Sequence, residues 1–274
     1  MPRAAGGRGQ TPPVLKKFGQ HFLTDPKILN AIVDALAPTK SDTVLEIGPG
    51  RGALTDILAG RAGKVIAVEI DRMLAAQLRE KYASGGTVEI VEGDFLESNP
   101  RDVAGDDFLL IGNVPYYITT PIVFKALEPP MPQRSVFLVQ REVAERMAAK
   151  EGDDDYGALS VNLAVVAMVE QVLRVPAGAF KPPPKVESAV VRLTPRDRPL
   201  VAPSVLPGFR TFVQAAFGQR RKQMQRVLRS LRGISAEQAS DVLAAVGIEP
   251  SDRPEVVSPE GFVGLFERLK ERGL

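Results

Sequence analysis

Through the first two thirds of the chain, apolar runs of strand length alternate with stretches of helical periodicity. The runs at 43–47, 65–69, 88–92, 108–112, 135–140 and 189–193 are each five or six residues long and rich in Val, Ile, Leu and Phe, which predicts buried strands. Between them, apolar residues recur at three- and four-residue spacing over 53–62, 72–82, 121–127 and 142–149. Asp25-Pro26, a capping residue followed by a proline at the first helical position, opens another helix running to about Ala37. Strands alternating with helices predict an α/β, doubly wound, Rossmann-like domain, a parallel sheet covered on both faces.

The pattern dissolves over 194–207 into a proline-rich stretch that reads as a linker. Beyond it only helical spacing is seen, at 209–217, 219–231, 236–246 and 259–270, so a small all-helical domain closes the chain. The organisation expected is a basic tail at 1–16, an α/β domain at 17–198 and a helical domain at 199–274.

Composition narrows the chemistry. With 44% hydrophobic and 25% charged residues and no apolar run near the ~18 residues a membrane helix needs, the chain reads as a globular, membrane-free, cytoplasmic protein. Residues 1–13 hold Gly, Pro and Arg without an apolar segment, the pattern of a disordered basic tail and not of a signal peptide. There is no cysteine and a single histidine, His21. That removes disulfides, cysteine nucleophiles, structural zinc and thiolate-held clusters, and no metal is expected. The net charge of +2 argues for no partner, but its distribution does: from Arg198 to Ala236 there are eight Lys or Arg and no acid.

Strand 43–47 ends in Glu46-Ile47-Gly48-Pro49-Gly50-Arg51-Gly52-Ala53 and runs into a helix. This satisfies the G-x-G-x-x-[GA] pattern, which alone leaves open a nucleotide-type ligand or a tight turn needing glycine for its dihedrals. Glu69 ends the next strand, 21 residues after Gly48, placed to accept hydrogen bonds from both ribose hydroxyls. Gly93-Asp94-Phe95 follows the third, an acceptor beside an aromatic ring suited to an adenine. Three strand ends thus converge on one adenosine. NAD and S-adenosylmethionine share that moiety, and the fourth strand chooses between them.

It is followed by Asn113-Val114-Pro115-Tyr116 and Tyr117. The lone pair of an exocyclic adenine amine is delocalised into the ring and must be drawn out of plane before it can attack a methyl group. An Asn side-chain oxygen and a backbone carbonyl stiffened by the following proline can each accept one amine hydrogen and aim that lone pair. Tyr116 can stack on an extruded base. The neutral amine and the sulfonium leaving group need no strong general base. An Asx-type turn before core aromatics is the alternative for the tetrapeptide by itself. Phe180, ahead of Lys181-Pro182-Pro183-Pro184-Lys185, is expected as a second stacking surface, with a core phenylalanine anchoring a surface loop as the alternative, so that Asn113, Pro115, Tyr116 and Phe180 form the candidate catalytic set.

In the basic stretch, Met224, Val227, Leu228 and Leu231 fall on one helical side, and Lys222, Arg226 and Arg229 on another. Together with Arg220 and Arg221 these are the candidate RNA-binding residues, a solvated helix face being the alternative, and Arg3, Arg8, Lys16 and Lys17 either extend the same surface or form a solubilising tail. The acidic run Glu151, Asp153, Asp154 and Asp155 is expected on a loop facing away from RNA.

Phe18-Gly19-Gln20-His21-Phe22-Leu23, Glu46-Ile47-Gly48-Pro49-Gly50, Asn113-Val114-Pro115-Tyr116, Gln140-Arg141-Glu142-Val143, Tyr156-Gly157-Ala158-Leu159-Ser160-Val161, Phe180-Lys181-Pro182-Pro183-Pro184-Lys185-Val186 and Phe217-Gly218-Gln219-Arg220-Arg221-Lys222 together resemble the ribosomal RNA adenine dimethyltransferase family, most closely its small-subunit (16S) enzymes. The resemblance implies N6,N6-dimethylation of two adjacent adenines in a small-subunit rRNA hairpin, from S-adenosylmethionine, within a pre-small-subunit particle; nothing in the sequence demands an oligomer, so a monomer is expected. It also implies that His21 and Leu23 line the cofactor's entry side, that Gly48 turns against its methionine part, that Glu69 holds the ribose and Asp94 the adenine, and that Asn113 lies beside both cofactor and amine. Two positions depart from the family pattern: His21 stands where many relatives carry Asn, and Val114 where Leu or Ile is commoner.

Three other readings compete. A large-subunit methyltransferase of the macrolide-resistance type shares the catalytic domain, but Pro-Pro-Pro-Lys-Val and Gln-Arg-Arg-Lys look more like the small-subunit enzymes. A non-catalytic ribosome-assembly factor has no need of an amine-orienting Asn113. An NAD-dependent dehydrogenase leaves the basic helix without a role.

Overall fold

The computed structural model describes residues 21–273. The expected basic tail, with Arg3, Arg8, Lys16 and Lys17, and the Phe18-Gly19-Gln20 part of the first motif lie outside the described residues. In chain order the elements are β1 (Phe22–Leu23), α1 (Pro26–Leu36), β2 (Thr43–Ile47), α2 (Ala53–Arg61), β3 (Lys64–Glu69), α3 (Arg72–Tyr82), β4 (Val88–Glu92), α4 (Pro100–Ala104) and β5 (Leu109–Asn113). They continue with α5 (Thr119–Ala126), β6 (Arg134–Gln140), α6 (Arg141–Ala148), α7 (Ala158–Ala164), β7 (Ala167–Val175), β8 (Phe180–Lys181) and β9 (Ser188–Pro195). Last come α8 (Leu206–Phe217), α9 (Met224–Arg232), α10 (Ala236–Ala244) and α11 (Pro259–Glu271).

Seven strands form one sheet in the order β4-β3-β2-β5-β6-β9-β7. The first five are parallel, as in a doubly wound sheet, and successive side chains of β2 enter cores on opposite faces: Val44 packs with α1 and α2, Leu45 with a cluster that includes α5 to α7. That second cluster runs on without a break into Phe209, Phe212 and Phe262 of the C-terminal helices.

The sheet is not parallel throughout. β9 runs antiparallel to β6, and β7, which periodicity did not predict, pairs antiparallel with β9 at the sheet edge. Glu170, Gln171 and Arg174 make β7 too polar to read as a buried run, and a register irregularity between Gln171 and Leu173 breaks its alternation. α7 was also unpredicted, its seven residues being too few for a clear helical period. Residues 219–223 form a turn, so the expected helix 219–231 starts later, at Met224.

Two features position the site. Strand order reverses between β2 and β5, opening a crevice at the carboxyl ends of these strands, where open α/β sheets bind ligands. Because β9 runs backwards, its first residue, Ser188, lies opposite Gln140 at the carboxyl end of β6.

Candidate active site

A cavity of about 380 Å³ opens at this crevice. It is lined by residues from all the strand ends singled out by the sequence, among them His21, Leu23, Gly48, Glu69, Asp94, Asn113, Pro115 and Tyr116. The loop from β2 to α2 forms its floor. Gly50 has φ +59°, and a Cβ there would meet the Phe22 ring at 3.1 Å. Gly48 has φ +64°, and a Cβ would sit 3.9 Å from the Asn113 carbonyl, so the two loops nearly touch.

Glu69 is buried, and its carboxylate accepts backbone N–H groups, Oε2 from Gly50 at 2.9 Å and Oε1 from Asp71 at 2.8 Å, with the Ile70 N–H beside them. A carboxylate has about four lone-pair sites, so acceptor capacity remains for a further donor. Burial raises its pKa above the ordinary carboxylate value, against the lowering effect of those N–H groups. Asp94 caps its own turn through the Leu96 N–H at 2.9 Å and is half-buried at the cavity wall.

Asn113 ends β5, and its Nδ2 donates to the His21 carbonyl at 3.2 Å. A carbonyl only accepts, so Nδ2 is the amide atom turned to His21, and Oδ1 keeps its acceptor lone pairs in a residue that lines the cavity. The Pro115 carbonyl accepts the Ile118 N–H at 3.1 Å and the Thr119 hydroxyl at 3.3 Å, which stiffens the turn. Tyr116 is held twice. Its hydroxyl shares a 2.6 Å hydrogen bond with the fully buried Ser188, and its ring stacks on His21 at 5.9 Å between centroids and 23° between planes. His21 is anchored in turn by Nδ1, 2.9 Å from the Pro182 carbonyl, and since a carbonyl only accepts, Nδ1 carries the proton.

Of its two expected roles, Phe180 takes the core one and not the stacking one. It is 2% exposed, pairs across from Leu23 in the β1–β8 ribbon, and packs in the core with Leu23, Leu29 and Val190. In a two-residue strand one side chain faces in and the other out, and here Lys181 takes the solvent side. Phe180 therefore supports the wall of the site and offers no surface to a base.

Comparison with known proteins is consistent along the chain. The family model described as Ribosomal RNA adenine dimethylase matches residues 14–271. The chain belongs to the ribosomal RNA adenine dimethylase family. Proteins named Ribosomal RNA small subunit methyltransferase A from Bacillus cereus and Bacillus anthracis are 41% identical to it over 264 residues, 93% of this chain and 90% of theirs. Among solved structures, a dimethyladenosine transferase from Plasmodium falciparum superposes with a TM-score of 0.80 at 27% identity, covering 93% of this chain and 99% of that one. The 23S rRNA methyltransferase ErmE gives 0.72 at 34% identity, covering 91% and 99%.

As a member of this family the chain uses S-adenosylmethionine as methyl donor, and the cavity has the features such a group requires. The glycine cradle would be filled by any Cβ at Gly50, and the Glu69 oxygens have acceptor sites to spare. One lining residue was quoted in a motif but given no role there. Glu46, 1% exposed, accepts from Thr55 Oγ1 at 2.7 Å, and burial, reinforced by the charge of Glu69, pushes its pKa up to about 8. The signal was present, since a carboxylate inside the apolar run Val44-Leu45-Glu46-Ile47 has to be neutral, paired or facing a ligand.

Beyond Arg198, the basic stretch divides into two groups. Arg220 donates to Glu255 Oε2 at 2.9 Å and to the Asp154 carbonyl at 2.8 Å, tying the acidic loop to the 3-10 turn Pro254–Val256. Arg210 lies 4.5 Å from the centre of the Phe124 ring and Arg232 lies 5.7 Å from that of Phe212. These three hold the fold together. Arg221, Lys222, Arg226 and Arg229 are exposed and form no ion pair among the described residues, while Met224, Val227 and Leu228 are fully buried beneath α9. No group of three potential metal ligands occurs among the described residues, and no helix there is long and apolar enough to cross a membrane.

Proposed function

We propose that this family member dimethylates the N6 amines of two adjacent adenines in a small-subunit rRNA hairpin loop, with Asn113 as the group that aims each amine. The observation that carries this reading is the Asn113 amide at the cavity wall, pinned through Nδ2 to the His21 carbonyl, which leaves Oδ1 as its acceptor. The donor supplies a methyl group on a positively charged sulfur. As the new N–C bond forms and the C–S bond breaks, the amine sheds one proton to water and S-adenosylhomocysteine leaves. Asn113 Oδ1 and the Val114 carbonyl each accept one amine hydrogen, which turns the lone pair out of the ring plane toward the methyl group. Tyr116, fixed by Ser188 and His21, offers its remaining face to the base.

On the donor side, Gly48 receives the methionine part, Glu69 the ribose hydroxyls, Asp94 the adenine, and His21 and Leu23 close the entry. Residues 17–198 form the catalytic unit and 199–274 the helical RNA-binding unit. The phosphate contacts come from Arg221, Lys222, Arg226 and Arg229, with Arg220 holding that surface in shape. The protein acts as a monomer in the cytoplasm on a pre-small-subunit particle.

The experiment is to incubate the chain and labelled S-adenosylmethionine separately with unmethylated small and large subunits, then to digest the RNA and identify labelled nucleosides by mass. Dimethyladenosine from small subunits alone is the expected result. Label in large-subunit RNA would overturn the substrate assignment, and binding without label would overturn the catalytic one.

A further inference from the structure

We propose that Tyr117 is a stacking platform for an unpaired base beside the reacting adenine, most simply its adenine neighbour. The inference rests on the reading of the Asn113–Tyr116 turn as the reacting centre. The two consecutive tyrosines of this turn sit in opposite circumstances. Tyr116 is half-buried, with its hydroxyl tied to Ser188 and one face covered by His21. Tyr117 also lines the cavity, yet it is 64% exposed, the highest value among the exposed large hydrophobic residues described, and its hydroxyl has no partner among the described residues.

An exposed aromatic ring at the rim of a cavity is a surface awaiting a flat partner. Its backbone is held still. Tyr117 is the middle residue of the 3-10 turn Tyr116–Ile118, closed by the Ile118 N–H to the Pro115 carbonyl and continued directly by α5. The backbone that carries the ring is therefore preorganised, and only the side chain has to be ordered when a base arrives.

The substrate supplies the partner. Drawing one of two adjacent adenines into the cavity strips it of its stacking neighbour, and the second purine is left unpaired at the rim. Phe180, being buried, cannot cover it, whereas Tyr117 is one residue from the ring proposed to hold the first. Stacking on an aromatic side chain tolerates any base, so the platform would serve whichever adenine of the pair is outside.

The test is steady-state kinetics of the full chain on unmethylated small subunits with Tyr117→Ala, Tyr117→Phe and Tyr117→Trp, alongside donor affinity by calorimetry and an Asn113→Ala control. Loss of one base stack should lower kcat/KM for the subunit by roughly 5- to 150-fold, mainly through KM, with donor affinity within about twofold of the parent. Phe and Trp should restore it. Unchanged KM in Tyr117→Ala overturns the platform, and so does failure of Phe to restore, which would mean that the hydroxyl is the active part. If Asn113→Ala is itself fully active, the reading of the turn fails. If Asn113→Ala is inactive while Tyr117→Ala is normal, only the platform fails.

Discussion

Replacing Glu46 with Gln isolates the cost of carrying a carboxyl group under the glycine loop. The carboxyl is fully buried with one hydrogen bond, from Thr55, and its pKa stands at about 8 against an ordinary 4.5. Below pH 4.5 it is neutral in both folded and unfolded chains, and Gln is a close substitute. Between pH 4.5 and about 8 the unfolded chain releases the proton and the folded one keeps it, so the unfolded state binds fewer protons and stability falls as pH rises. At about 1.4 kcal/mol per pH unit, this loss accumulates to about 5 kcal/mol by pH 8 and then levels off. Glu46→Gln has no such loss. Its stability relative to the parent should therefore climb steeply from pH 5 to pH 8. The chain has no tryptophan, so urea unfolding is best followed by far-UV circular dichroism, at pH 5, 6, 7 and 8. A difference between the two proteins that stays constant over that range would refute the argument, because it would mean that Glu46 is already ionised in the folded state.

The same linkage predicts that affinity for the positively charged donor rises with pH up to about 8 in the parent and is flatter in Glu46→Gln, as titration calorimetry would read. Asn113→Ala should lower kcat by about 10²- to 10³-fold, the usual cost of losing one preorganised hydrogen-bonding group, while donor binding by calorimetry stays near the parent value. Ser188→Ala frees the Tyr116 hydroxyl, and it should raise KM for the subunit without changing donor affinity; its effect should vanish in a Tyr116→Phe background, where the bond is already missing. Changing Arg221, Lys222, Arg226 and Arg229 together to Ala should weaken RNA binding and flatten its dependence on log salt by about 3. An unchanged slope in filter binding would move the phosphate contacts elsewhere.

Local pattern was enough for much of this protein. Five parallel strands, the helices between them except the short α4, and three strand-end acceptors could be read directly, because buried parallel strands are continuous apolar runs and because a sheet crossover brings consecutive strand ends to one edge. The meeting of Glu69, Asp94 and Asn113 at one cavity was legible for that reason, and the comparisons agree with the family their motifs suggested. What remained hidden depends on contacts between segments far apart in the chain. β7 is a polar edge strand defined only by its pairing with β9, and the reversed direction of β9 is what brings Ser188 to Tyr116, 72 residues away in sequence. Phe180 faces inward because β8 pairs with β1, some 160 residues earlier, and the proline run after it carries no sign of that direction. Arg220 and Arg221 are neighbours of identical type, yet the first is bound to Glu255 and the second is open to solvent. Residue type and spacing determined which groups this chain has for its chemistry. Which of them face the cavity, the core or the solvent was decided by tertiary packing, since a side chain's direction and partners depend on segments that meet only when the chain folds.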